Sequence, residues 1–443
     1  MQKLVPWSML LALLSFAFSA VAQDNDALPP NYLAGTHVMH ANNSANLQKK
    51  GNIPTPQGFP QGVDTIVNFT HQFQAPGVFY DGSAHQMWEY SMVGNPPQQG
   101  GTTVINAPVV PVSLDLRNSD GSPRYVKVVN GKVMTCSGAL KGCQRLYSDV
   151  TPFVKPFMNG PVFANANYSS SPVPTQITDA VQRAEFGNHA AADWHTLLNG
   201  SVKAPEVMTL LRGTYQFALN ADGSCCLFVL IDDGAFATQL FPQNPAGPDN
   251  SSVIGQAELA GNITTKSMST FLFPNAYLYS NGDPSQCCTL GYHTIDFEPG
   301  NAPGLPNNGN LERFYVLNYS SWITPGLFNG GFEDVTAHSH EIAETFNDPF
   351  VAFDGIHNIT PFWLNPAGQC QDVMEVGDVI EDLPNPTYPV TVNGYTYHPQ
   401  TEALLPWFEF QTNSSAIDNA YSYPNENVLT SLSAAQPLNC GGQ

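Results

Sequence analysis

Apolar residues in this chain come in short runs of about five to eight, set between clusters of Pro, Gly and Asn. With 37 Pro and 36 Gly in 443 residues, few stretches can sustain a long helix, and strands become the default element. Six runs rich in β-branched and aromatic residues read as strands: Thr103–Leu116, Tyr125–Val133, Leu227–Asp232, Thr270–Leu278, Tyr292–Phe297 and Phe314–Trp322. Helical spacing is rarer, at Thr178–Phe186, Pro205–Arg212 and Glu333–Phe346. The expected fold class is α+β, a strand-dominated domain with a few helices packed on it. No repeat or clean boundary divides residues 76–443, which read as a single domain with its site near 287–400. Residues 23–75 are polar and read as an extended arm.

Further features bound the function. Asp plus Glu number 36 against 15 Lys plus Arg, for a formal charge of −21. Nucleic acid and anionic membrane surfaces would repel such a chain, so neither is expected as a partner. The 42% hydrophobic content supplies a core that a disordered acidic protein lacks. Residues 1–22 pair an apolar run, Met9–Phe18, with the small-residue site Ala20-Val21-Ala22, the pattern of a cleaved secretory signal. No later run is long enough for a membrane span, so a secreted or periplasmic location is expected. Eight cysteines fit an oxidising compartment. Cys136 and Cys143 can close a local loop, whereas Cys225-Cys226 and Cys287-Cys288, being adjacent, are expected to bond elsewhere.

The chemistry concentrates in HSHEIAETFNDP, His338 to Pro349. His340 and Glu344 stand four apart and project from one helix face, the spacing that two metal ligands on one helix require. Glu341 directly follows the first ligand, where H-E-x-x-H enzymes keep a general base. The helix is therefore expected to be zincin-like and metal-binding, with Glu replacing the second His. A carboxylate ligand suits zinc and leaves calcium or manganese open. His338, two residues from His340, lies well round the helix and reads as a cap or a support. About thirty residues downstream, CQDVMEVGDVIED holds Asp372, Glu375, Asp378, Glu381 and Asp382. Gly377 allows a tight turn there, and Glu375 or Asp378 is the expected third ligand. The Asn347-Asp348-Pro349 sequence stops the helix.

The stretch S-H-E-I-A-E-T-F-N-D-P with the later E-V-G-D resembles the C-terminal region of the plant phosphate-induced/EXORDIUM group, and C-C-T-L-G-Y-H-T, Cys287–Thr294, resembles the element preceding its helix. The likeness spans residues 287–410, about a quarter of the chain, and carries His293, His340, Glu341, Glu344, Glu375 and Asp378. It implies an extracellular, cell-wall setting and no particular activity. The chain departs from that pattern after Pro349, where an insert contains Phe362-Trp363.

The favoured expectation is a secreted metal-dependent, peptidase-like hydrolase acting on an extracellular or cell-wall polymer, peptide or polysaccharide. In it Glu341 serves as base, and His293 or Tyr292 steadies the developing oxyanion. A glycoside hydrolase is the second possibility, because Asp296 and Glu298 alternate along a strand and share a face. The third is a non-catalytic wall- or polysaccharide-binding protein whose His/Glu site is a structural metal site.

Overall fold

A computed structural model describes residues 23–35, 62–75 and 87–432, except 172, 245, 310, 330 and 366–369. The expected signal, residues 1–22, lies outside the described residues, as does Cys440. Strand amounts to 38% and helix to 17%, with six helices described, which is the α+β, strand-dominated class expected.

The longest strand, β1 (Thr102–Arg117), organises an eight-stranded sheet. Helix α1 (Ile177–Phe186) follows it, and then β2 (His195–Val202) and β3 (Glu206–Leu211) pair parallel to one edge of β1 in succession. The partner changes after Val109, at Val110-Pro111. Pro111 has no N–H to give a ladder, so the handover falls where the pairing is weakest. The other edge of β1 pairs with β4 (Met268–Pro274). Beyond it come β5 (Gly291–Glu298) and β6 (Glu312–Trp322): β4 runs parallel to β6, and β5 pairs antiparallel with β6. The spatial order is thus β2/β3, β1, β4, β6, β5, and the two-residue strands Val63–Asp64, on β6, and Tyr147–Ser148, on β1, complete the eight.

Both faces of this sheet are covered, which is why its strands read as nearly continuous apolar runs. On one face Val316, Phe314, Ile295 and Leu272 pack with Val335, Ile342 and Phe346 of and beside helix α2 (Thr336–Asn347). On the other, Leu317, Tyr319 and Tyr292 pack with Phe236 and Ile254, from the helices Asp233–Leu240 and Val253–Leu259. A third cluster, including Trp363, Met374, Val376, Ile380 and Trp407, closes over Ala343. Helix α2 therefore lies between the sheet and a covering layer, and all twelve of its residues are buried.

Several expectations change. Pro205–Arg212, read as helical, is the strand β3. Met208 and Leu210 are buried while Val207 and Leu211 are exposed, a period of two rather than 3.6. The expected helix Glu333–Phe346 begins later, at Thr336. Glu333 and Asp334 form its entry turn, in which the Asp334 carboxylate accepts the N–H groups of Val335 and His398. The polar arm is partly built into the fold: Asn68–Gln74 pairs with Met87–Val93, and buried Asp24 forms an ion pair with Arg124 at 2.5 Å. Cys136–Cys143 bond as expected. Cys225–Cys226 and Cys287–Cys288 each close on themselves across a cis peptide instead of bonding elsewhere. Cys370 is disulfide-bonded as well.

Candidate metal centre

Three elements bring the chemistry together. Side chains alternate along β5, so Gly291, His293, Ile295 and Phe297 face α2. From α2 come His340, Glu341 and Glu344, on the side facing β5 and the segment 375–381. That segment contributes Glu375, Asp378 and Glu381.

Glu344 is the hub. Its Oε1 accepts the backbone N–H groups of Gly377 at 3.0 Å and Asp378 at 3.3 Å. Its Oε2 lies 3.1 Å from His340 Nε2 and 3.4 Å from His293 Nδ1. Asp378 Oδ1 is 3.6 Å from His340 Nε2. Glu375 Oε2 and Glu341 Oε2 stand 3.7 and 3.8 Å from His293 Nδ1. His340, Glu344 and Asp378 form one set whose donor atoms all lie within 4.8 Å of one another, and His293, Glu341 and Glu344 form another. These buried groups can hold a metal ion. Glu375 and Asp378 keep the most solvent contact, with 15% and 13% of the side chain exposed, so the centre is approached from their side.

Two glycines make the crowding possible. A Cβ on Gly377 would stand 2.5 Å from His340 Nδ1, and one on Gly291 would stand 2.7 Å from Glu341 Cγ and Oε1. Neither glycine has positive φ. Gly377 opens the expected turn, its carbonyl accepting the N–H of Ile380 at 2.9 Å, and its missing side chain also permits a close approach to the imidazole without left-handed backbone. Gln400 braces the arrangement: its side-chain amide donates to Gly377 O at 2.9 Å, and its N–H donates to Ser339 Oγ on α2 at 2.8 Å.

Electrostatics separate the carboxyls by environment. Burial pushes Glu341 up to about 7, despite the pull of His293 and His340. Burial would also raise Glu344, but His340 and His293 outweigh it and hold the group at about 2. Burial raises Asp348 to about 7 and carries Glu375 and Glu402 well above the usual carboxylate range. Burial opposes charge on His293 and His340, yet the surrounding carboxylates win and push both well up. Without a cation, the site must draw positive charge from protonated imidazoles.

The structure brings together all six expected members: His293, His340, Glu341, Glu344, Glu375 and Asp378. It separates Asp296 and Glu298 from them. Those two share a face, as their spacing requires, but it is the opposite face of β5, where they meet Glu258 and are fully buried. His338 is turned toward the sheet. It stacks on Phe157 at 4.2 Å, lies 3.3 Å from Thr270 Oγ1, and burial pushes it down to about 3. Sequence reasoning missed two carboxylates. Asp348 reads as part of a helix stop, and Glu402 lies in the strand Glu402–Ala403 next to apolar Leu404 and Leu405. An acid heading an apolar run was the available signal for Glu402, whose charge is felt at His340.

No protein family, curated protein or solved structure matches the chain. Among the described residues, no helix is long and apolar enough to cross a membrane.

Proposed function

We propose that the protein is a metal-dependent, peptidase-like hydrolase with His340, Glu344 and Asp378 as ligands and Glu341 as general base. The observation that carries it is the division of labour on Glu344. One oxygen is fixed by two backbone N–H groups, which leaves the other aimed between two imidazoles. A carboxylate oriented in this way is prepared for a cation, as supporting hydrogen bonds orient ligands in metal sites. Glu341 Oε2 is buried and makes no hydrogen bond, which leaves it free for proton work beside the ion. Burial also brings its pKa near neutrality, where an acid–base catalyst is most effective.

A zinc ion here would lower the pKa of a bound water to about 7. Glu341 would accept a proton from that water and return it to the leaving group. His293, beside Glu341, would hold that carboxylate in place or bind metal itself. The charge of −21 and the sparse cations favour a neutral or cationic substrate over an anionic one. An extracellular or wall polymer, cut at a peptide bond, fits this and the setting implied by the EXORDIUM-like segments.

Metal analysis of the purified protein, with peptide hydrolysis assayed before and after chelation, tests the proposal. Glu341→Gln should retain metal and lose at least about 100-fold in turnover. A protein that binds no divalent metal, or a Glu341→Gln variant of full activity, would defeat it. Metal retained without turnover on any peptide or polysaccharide would point to the structural alternative.

A further inference from the structure

We propose that the centre is built for two divalent cations bridged by the Glu344 carboxylate, the second held by His293, Asp348 and Glu375. The inference rests on the metal-hydrolase reading and extends it.

The donors around Glu344 Oε2 fall into two groups. His340 and Asp378 lie on one side, with His340 Nε2 at 3.1 Å from that oxygen. His293 lies on the other, with its Nδ1 at 3.4 Å. His293, Asp348 and Glu375 form a set of their own whose donor atoms lie within 4.8 Å of one another, and the two imidazoles belong to different sets. Donors to a single ion, with bonds of about 2.1 Å, lie no more than about 4.2 Å apart, so one ion satisfies one set. Two ions about 3.5–4 Å apart, sharing a carboxylate, satisfy both.

Asp348 supplies an independent sign. It is fully buried. Its Oδ1 accepts the N–H of Ala352 at 3.1 Å, while Oδ2 makes no hydrogen bond. A buried carboxylate oxygen left bare is costly unless a cation meets it. Its position follows from the chain: Asp348 closes α2, one helical turn beyond Glu344, so it carries the ligand row from the first site to the second. Charge balance agrees. Among the described residues, no Lys or Arg forms an ion pair with Glu341, Glu344, Asp348, Glu375 or Glu402. With Asp378, six carboxyl groups face two imidazoles, an excess that a second divalent ion offsets. The second set joins one imidazole, which suits Zn²⁺, to carboxylate oxygens, which suit Mn²⁺.

The test is stoichiometry in the full chain. Protein saturated with Zn²⁺ and freed of excess should carry two ions per chain by elemental mass spectrometry. Asp348→Asn and, on the more exposed segment, Glu375→Gln should each carry one. Because Asp348 ends a helix, Glu375→Gln keeps the test decisive if the first variant folds poorly. Loading with Mn²⁺ should give the paramagnetic resonance signal of a coupled pair. Saturation at one Zn²⁺ per chain, or two retained in both variants, overturns the second site. Binding of no Zn²⁺ at all overturns the proposed function with it, whereas one ion with an inactive Glu341→Gln leaves that function standing.

Discussion

Gly377→Ala tests the proposed metal ligation by His340 most directly. The new methyl would fall 2.5 Å from His340 Nδ1, 2.6 Å from Cε1 and 2.7 Å from Cγ. Ordinary contact begins at 3.4 Å, so the ring must retreat by about 0.9 Å or the 375–381 segment must lift. Metal–nitrogen bonds tolerate departures of only about 0.2 Å. Either movement also loosens the Gly377 N–H from Glu344 Oε1. The loss should at least match that of removing a supporting contact, about 10–100-fold in affinity, or about 1.4–2.8 kcal/mol. Backbone strain contributes nothing, because φ at Gly377 is not positive.

The assay is a Zn²⁺ titration against a competing chelator, with melting of the chelated forms as a control for folding. Gly291→Ala is the matched comparison, since its methyl meets Glu341 Cγ and Oε1 at 2.7 Å and Tyr319 O of β6 at 2.9 Å, but no ligand of the first ion. It should bind Zn²⁺ within about threefold of the parent and lose about 100-fold in turnover through displacement of the base. If Gly377→Ala binds Zn²⁺ like the parent while folded, His340 is not a ligand and the proposed centre is wrong.

Other expectations follow from particular groups. Chelation should lower the melting temperature, because metal at 100 times its Kd stabilises by about 2.7 kcal/mol, and equal melting with and without chelator would argue against bound metal. His338→Phe should keep its full metal content, since that ring faces Phe157 and Thr270, and loss of metal would contradict this assignment. Arg124→Ala should cost about 3–5 kcal/mol in urea unfolding, because it strands Asp24 unpaired in the interior, and a cost below about 1 kcal/mol would show the pair to be dispensable. Glu185, raised by burial to about 8, binds its proton more tightly folded than unfolded. Its contribution is therefore complete below about 4.5 and is lost as pH rises through about 8. Thermal melts of Glu185→Gln should show a shallower decline between those limits, and parallel curves would refute the assignment.

How much of this could be read in the sequence depends on how local the determining physics is. The α2 helix was legible because His340 and Glu344 repeat at helical spacing and its stop, Asn347-Asp348-Pro349, is written in adjacent residues. The strand β5 was legible as well, and so was the pairing of Asp296 with Glu298, since period two is local. Which face of β5 meets α2 was not. His293 and Asp296 are three residues apart on one strand, and only the covering of both sheet faces decides which of them joins the candidate metal centre. β3 was misread for a related reason: VMTLL is apolar at both periods, and its exposed Val207 and Leu211 reveal the strand only when the neighbouring β1 is in place. The role of Gly377 was hidden differently. A glycine in an acidic loop announces a turn, which is present, but not that its missing side chain also makes room for an imidazole from a helix thirty-seven positions earlier. Asp348 combines both difficulties. The residues that end a helix and those that continue its row of His and carboxylate side chains can be the same ones, and local rules recognise the first role before the second.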